Sequence, residues 1–307
     1  MAFARESPVQ PYTYQVVEVL KGHPEKEQKI DLLVNSVMRR RLAHDPASRV
    51  LLVRQEPRSA WQSLGFANTA YQAFTRTVLS NANRWQPARI SRDRLNYFET
   101  LLSSDHDILR RQAVLEISRG PYRRIKAAGV HVPRQDIYAV LSDITWLEWS
   151  PFYIVLLGQS PLPEDKKFIS DQFKTRARVA QVLNLAAWST AFMESGKVEA
   201  VAFIADNFFR DPSYDRRALI EMQKAMSVLG SEYPKQFRQT IVAGYQRLLR
   251  VHPTMAGLVA RDAANWRDWS FVHQLKEMID EEVAFEDPGA AYAVSYYLSL
   301  AGETLTH

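Results

Sequence analysis

The chain contains no cysteine in its 307 residues, which excludes disulfides, thiolate metal ligands and thiol nucleophiles, and removes the commonest ligands of structural zinc. Long apolar runs are missing too. Even FYIVLLG at Phe152 to Gly158 falls far short of the roughly 20 residues that a bilayer-spanning helix needs, so no membrane span is expected. There is no Gly-rich phosphate loop, no His-Glu-x-x-His zinc motif and no Gly-x-Ser-x-Gly nucleophile elbow. The seven histidines include no pair at the spacing that would build a metal site on a helix. These absences leave no catalytic residue, metal or cofactor to nominate.

What is present is ordinary globular material: 46% hydrophobic and 24% charged residues, enough for one large domain or two smaller ones. The formal net charge of +5 permits weak attraction to acidic surfaces or nucleic acid. Its local concentrations, at Arg39 to Arg41, Arg110 and Arg111, Arg123 and Arg124, and Arg216 and Arg217, read first as solvated faces. The small-x-small triplet Ala2-Phe3-Ala4, followed by polar RESPVQP, has the pattern that precedes signal-peptidase cleavage. Together with the lack of cysteine it makes a periplasmic or otherwise exported location the expectation, with a cytoplasmic one as the alternative.

The organisation changes along the chain. YTYQVVEVLKG is rich in β-branched and aromatic residues and ends in a Gly-His-Pro stop, so it reads as a strand with Tyr12, Tyr14, Val16 and Glu18 on one face and Thr13, Val17 and Val19 on the other. KIDLLV and SRVLLVRQ are further short strands. These define a small β-containing domain over 1–67, and 68–91 is a helical connector. From residue 92 to 307 the apolar spacing is helical. Leu109, Ala113, Val114 and Ile117 follow a start at Ser104 or Asp105. Leu219, Met222, Met226 and Leu229 follow Asp211 as cap with Pro212 at the first helical position. Phe237, Ile241, Tyr245 and Leu248 form the next stripe, then Phe271, Leu275, Met278 and Ile279, and EDPGAAYAVSYYLSL supplies a final helix with an Asp-Pro start. On that last helix Tyr292, Tyr296 and Leu300 are the residues expected to close the core.

Two short stretches repeat: WLEWS, with Trp146 and Trp149, and WRDWS, with Trp266 and Trp269. Beside Trp188 they suggest a period of roughly 40 residues, the range of two-helix repeat units. SDHDILRRQAVLEIS and DPSYDRRALIEMQKAM share an acidic or Pro-marked start, an Arg-Arg pair, then Ala within an apolar stripe. On these residues the region from Arg92 to Leu300 resembles HEAT-like (armadillo-type) repeats, which implies a mainly α fold, an α-α superhelix of about four to five helical hairpins after the β-containing domain. VVEVLKG, its polar turn and the strand after it are similar to the opening of netrin-like domains, which are OB-like barrels, over roughly the first 35 residues.

Function follows at lower definition. A helical-repeat surface implies a non-enzymatic scaffold or adaptor for a protein partner that the sequence does not identify. The tryptophan pairs have a packing role, with one ring between hairpins and Ser150 or Ser270 capping the next helix. The alternative to that packing role is recognition, with the rings exposed as a stacking platform. The candidate binding residues are Trp146, Trp149, Trp266, Asp268 and Trp269, with Arg110, Arg111, Arg216 and Arg217 as the basic component. NWRDWSFVHQL also resembles the Trp/Asp segment of HEAT-like alkylpurine DNA glycosylases. That resemblance implies a nucleic-acid partner and places Trp266, Asp268 and Trp269 in the groove, as the alternative to the scaffold.

Overall fold

The computed structural model describes residues 1–6, 13–23, 29–31, 36–56, 59–85, 91–280 and 288–305. Tyr12, the Leu32–Val34 end of the KIDLLV strand and the Asp287 start of the last helix lie outside the described residues. The chain is mainly helical with a small antiparallel sheet at the N-terminal side, and it divides into two compact units, Met1–Ile117 and Ser118–His307.

In the first unit, β1 (Ala2–Glu6), β2 (Thr13–Val19), β3 (Lys29–Asp31), β4 (Arg49–Val53) and β5 (Gln62–Ala67) form one antiparallel sheet in the order β3-β2-β1-β4-β5. The Ala2-Phe3-Ala4 triplet is therefore a central strand, fully buried. Tyr14, Val16, Ile30, Val50 and Leu52 cover one face together with Ala2 and Ala4, and Met38 and Leu42 of α1 (Ser36–His44) pack there. Phe3, Leu51 and Ala67 face the other side, against Tyr71 of α2 (Thr69–Ser80). Two buried faces explain the unbroken apolar run of RVLLV.

Strict alternation along β2 fails at one point. Phe3 pairs with Glu18 but Ala4 with Val16, so Val17 is an extra residue opposite β1. This bulge flips every side chain beyond it. Val19 consequently packs with Tyr14 and Val16, while Val17 joins the Phe3 face. Glu18, expected beside Tyr14, instead receives two bonds from the Arg76 guanidinium of α2, at 2.8 and 2.6 Å, and Arg76 lies 5.4 Å from the Phe3 ring. The unit is completed by α3 (Arg92–Leu101), capped by Ser91, and α4 (Asp107–Ser118), whose Leu109, Ala113, Val114 and Ile117 are all buried. Phe74, Trp85, Tyr97 and Phe98 form an aromatic cluster beside them.

The second unit contains α5 (Tyr122–Ala128), α6 (Arg134–Ser142), α7 (Ser150–Leu157), α8 (Pro163–Arg178), α9 (Leu185–Asn207), α10 (Arg216–Glu232), α11 (Pro234–Val251), α12 (Ala256–Trp266), α13 (Val272–Asp280) and α14 (Pro288–Leu305). At its centre is α9, apolar on every side and buried for most of its length by α7, α8, α10 and α11, as an all-round hydrophobic helix must be. Most of the principal helix pairings join elements one or two steps apart in the chain, such as α8 with α9, α9 with α11, and α12 with α14; α5 against α10 departs from that order. No helix among the described residues is long and apolar enough to cross a membrane.

The helical stripes are borne out in α10 and α11, where every named residue is fully buried. Their ends are corrected. Asp211 does not cap α10: it accepts from the Ser213 amide and hydroxyl in a turn, and the cap is Asp215, which accepts from the Arg217 and Ala218 amides at 2.8 and 3.1 Å. Ile279 is exposed, and so are Tyr292 and Tyr296; α14 instead buries Val294, Tyr297 and Ala301, a stripe displaced by one or two positions. In an 18-residue helix with tyrosines on several sides, periodicity alone did not select the face.

Candidate functional site

The most distinctive chemistry of the second unit lies where α5 meets α9 and α10. Gly158 ends α7, and a Cβ there would meet Ala191 Cα at 2.7 Å, so glycine is what lets the end of α7 touch α9. Gln159 follows and stands beside both Tyr122 of α5 and Glu194 of α9. Tyr122 meets Tyr233, at the end of α10, edge to face with centroids 6.1 Å apart, and Lys126 Nζ sits 4.9 Å from the Tyr233 ring centroid.

Glu194 is the centre of this group, with only 2% of its side chain exposed. Its Oε2 accepts from Lys126 Nζ at 2.7 Å and Lys197 Nζ at 3.4 Å. Its Oε1 is buried and has no hydrogen bond from the described residues; the same is true of the Tyr122 hydroxyl and Gln159 Nε2. Tyr122 thus lies near both Gln159 and Glu194 without closing a hydrogen bond of full geometry to either. Burial, then the Glu194 carboxylate and Tyr233, push its hydroxyl far above the usual tyrosine range. Lys197 breaks α9, with φ 56° and ψ −140°, backbone angles that side-chain-bearing residues avoid and that require support from the surrounding structure. Lys126, Lys166, Lys197, Gln159, Glu194 and Ser195 are among the walls of a 180 Å³ cavity.

The Gln159–Pro161 segment is also a wall of a larger cavity, of 410 Å³, between α6, α7 and α8. Val130, Val132, Ile137, Leu156, Leu157 and Leu162 make it predominantly apolar. Asp165 supplies its charged edge, accepting from Arg134 Nε at 2.7 Å, the Tyr138 hydroxyl at 2.7 Å and the Ser160 hydroxyl at 2.5 Å. Burial alone would push the Asp165 carboxyl up, but those three bonds and the guanidinium charge outweigh it and hold it below the usual carboxylate range.

A third buried carboxylate, Asp262 of α12, accepts from Gln223 Nε2 at 2.7 Å, the Ser227 hydroxyl at 2.6 Å and the Tyr245 hydroxyl at 2.8 Å. All three donors are neutral. Burial is the dominant influence and raises its carboxyl above the usual range despite them. No group of three or more His, Cys, Asp or Glu side chains among the described residues is arranged to hold a metal ion.

The residues nominated from sequence are dispersed. Trp146 is buried edge to face on Tyr153, with centroids 6.2 Å apart, and Trp149 is half-buried just before α7. Trp266 is stacked on Tyr245 at 5.9 Å, its Nε1 donates to Ser231 Oγ at 2.9 Å, and Gly230 lies so close to its ring that a Cβ there would meet it at 2.5 Å. Trp269 is half-buried, 5.4 Å from the Tyr297 ring. Asp268 accepts from the amide and hydroxyl of Ser270, a local turn. Ser150 donates back to the Trp146 carbonyl as the first residue of α7, so it is not the cap expected of it. Arg110 and Arg111 lie on α4 in the first unit, Arg110 paired with Asp107. Arg216 and Arg217 open α10, the first reaching the Thr254 carbonyl at 3.5 Å and the second, largely exposed, reaching Asp215 at 3.5 Å.

Sequence reasoning passed over Tyr122, Lys126, Gln159, Glu194 and Lys197. One signal was visible: Glu-Ser-Gly-Lys interrupts an otherwise apolar helical stretch, AAWSTAFMESGKVEAVAFIADN, and charge at the centre of an all-round apolar helix has to be neutralised by something. The partners on α5 gave no such signal, because they arrive from about 70 residues away. Comparison of the chain with protein-family models, with curated proteins and with solved structures finds no match in any of the three.

Proposed function

We propose that this protein is a non-enzymatic interaction scaffold whose second unit is a HEAT-like stack of helical hairpins, and that the stack receives a protein partner at the 410 Å³ cavity walled by α6, α7 and α8. Two features support the stack. Most principal helix pairings follow chain order, as they do where each hairpin buries its apolar face against its neighbours. The ten helices α5 to α14 are as many as five hairpins need, and of the successive couples α9–α10 and α13–α14 pack directly on each other.

The observation that carries the binding reading is the cavity itself. A predominantly apolar recess edged by one satisfied carboxylate is suited to an apolar anchor side chain of a partner, with Arg134 and Asp165 fixing its orientation. Leu162, which is 39% exposed at this edge, is the natural contact.

A photo-crosslinking residue at position 162 tests this in cells, with one at the exposed Leu183 as control. A single defined protein captured at 162 and not at 183, and lost when Leu156→Arg fills the recess with charge, is the expected outcome. Equal capture at both positions refutes the assignment. Duplex-DNA binding that weakens steeply with salt would favour the nucleic-acid alternative instead.

A further inference from the structure

The cavity around Glu194 has a chemistry of its own, independent of any protein partner. Lys126, Lys166 and Lys197 surround it against one carboxylate, so its net charge favours an anion. Gln159, on the wall of this cavity, has in its Nε2 a buried donor with no acceptor in hydrogen-bond geometry among the described residues, and an anion's oxygen would supply one. Glu194 Oε1 imposes the opposite requirement: whatever lies against it must bring a hydrogen. A fully ionised anion such as sulfate meets the lysines but is repelled at that oxygen. A phosphate that retains one proton satisfies both demands.

We propose that this cavity binds a protonated oxyanion of the phosphate class, with the lysines neutralising its charge and Glu194 Oε1 accepting its hydroxyl, so that the site takes phosphate and rejects sulfate. Lys197 fits this role. Its φ of 56° would be relaxed by glycine, so the strain at this point accompanies a side chain whose ammonium reaches Glu194. Lys126 comes from the α5 contact that departs from chain order, and the two lysines converge on one carboxylate oxygen while the other is left to a ligand.

Isothermal titration of the full chain with inorganic phosphate, sulfate and methyl phosphate at low ionic strength tests it. Phosphate should bind at least about tenfold more tightly than sulfate, and Glu194→Gln, which can donate where the carboxylate could only accept, should bring the two within about twofold. Lys197→Gly should keep or raise the melting temperature while weakening phosphate about tenfold, which decides the matter should Glu194→Gln fail to fold. Methyl phosphate matching inorganic phosphate identifies the natural ligand as a phosphoryl group on a larger molecule; much weaker binding identifies free phosphate. Equal affinity of the wild-type chain for sulfate and phosphate, no binding of phosphate up to about 10 mM, or unchanged phosphate affinity in Lys197→Gly overturns the proposal.

Discussion

Asp262 and Glu194 are carboxylates buried to a similar depth within helices of the same unit, and each borders a cavity, of 330 and 180 Å³ respectively. Their surroundings differ in kind. Asp262 is held by three neutral donors shared between its two oxygens, one of them from the fully buried Tyr245 of α11. Glu194 is held by two ammonium groups on a single oxygen, and both lysines remain partly in solvent. A carboxylate held by neutral groups on both oxygens ties α10, α11 and α12 together. One approached by charge on one side only keeps a binding valence. Burial depth alone therefore does not separate an architectural acid from a functional one; the census of its donors does.

That contrast can be broken most directly at Asp262. Asp262→Ala strands the buried Gln223 amide and leaves the Tyr245 hydroxyl only its 3.3 Å bond to the Gln223 carbonyl. It should cost about 2–3 kcal/mol in urea unfolding, because each poorly satisfied buried group carries its own desolvation penalty. Glu194→Ala releases lysines that can reach water and should cost about half as much; equal losses would mean that both acids are architectural. Gly158→Ala comes next. Its Cβ would press on the backbone of α9 and should cost about 1–3 kcal/mol, with loss of any ligand binding at Glu194. Lys197→Gly should be stabilising by about 1 kcal/mol, since the backbone strain removed exceeds the added freedom of the unfolded chain.

The pH response gives the finest distinction. The Asp262 carboxyl is raised above its ordinary value of 3.8 in the folded protein. As pH rises past that value the unfolded chain loses its proton first, so stability falls until the folded carboxyl has ionised too. Asp165 is depressed and acts in the opposite sense: its contribution is present above 3.8 and is lost as pH falls through its folded value. Asp262→Asn should therefore flatten the first dependence and leave the acid loss intact, measured as unfolding free energy against pH. A smaller effect still is expected at the exposed Lys167–Asp171 pair, where Lys167→Ala should change stability by less than about 0.5 kcal/mol.

Much of the architecture was legible because it rests on local pattern. The α10 and α11 stripes and the β4 run each announce a buried face through their own spacing, and the structure buries them. The errors arose where one residue of local geometry reverses a pattern. The bulge at Val17 moved Glu18 and Val19 to opposite faces from those expected, and the Asp211-Pro212 start became a turn because Asp215 four residues later had two amides to cap. The site was the least legible part. Trp146 and Trp266 stand out in the sequence, yet their rings are committed to Tyr153 and Tyr245. Lys126 and Glu194 stand out in the structure through a contact that no periodicity encodes.

The central position of β1 bears on the first unit in another way. Ala2–Glu6 is the piece that joins the β2–β3 hairpin on one side to the β4–β5 hairpin on the other. Were that segment cut away or displaced, two freshly bared strand edges, at β2 and at β4, would offer their unpaired amides and carbonyls to any passing chain, with Tyr14, Val16 and Leu52 uncovered alongside. The five residues of β1 thus act as the unit's guard against self-association, and their displacement would turn a folded sheet into a nucleus for aggregation.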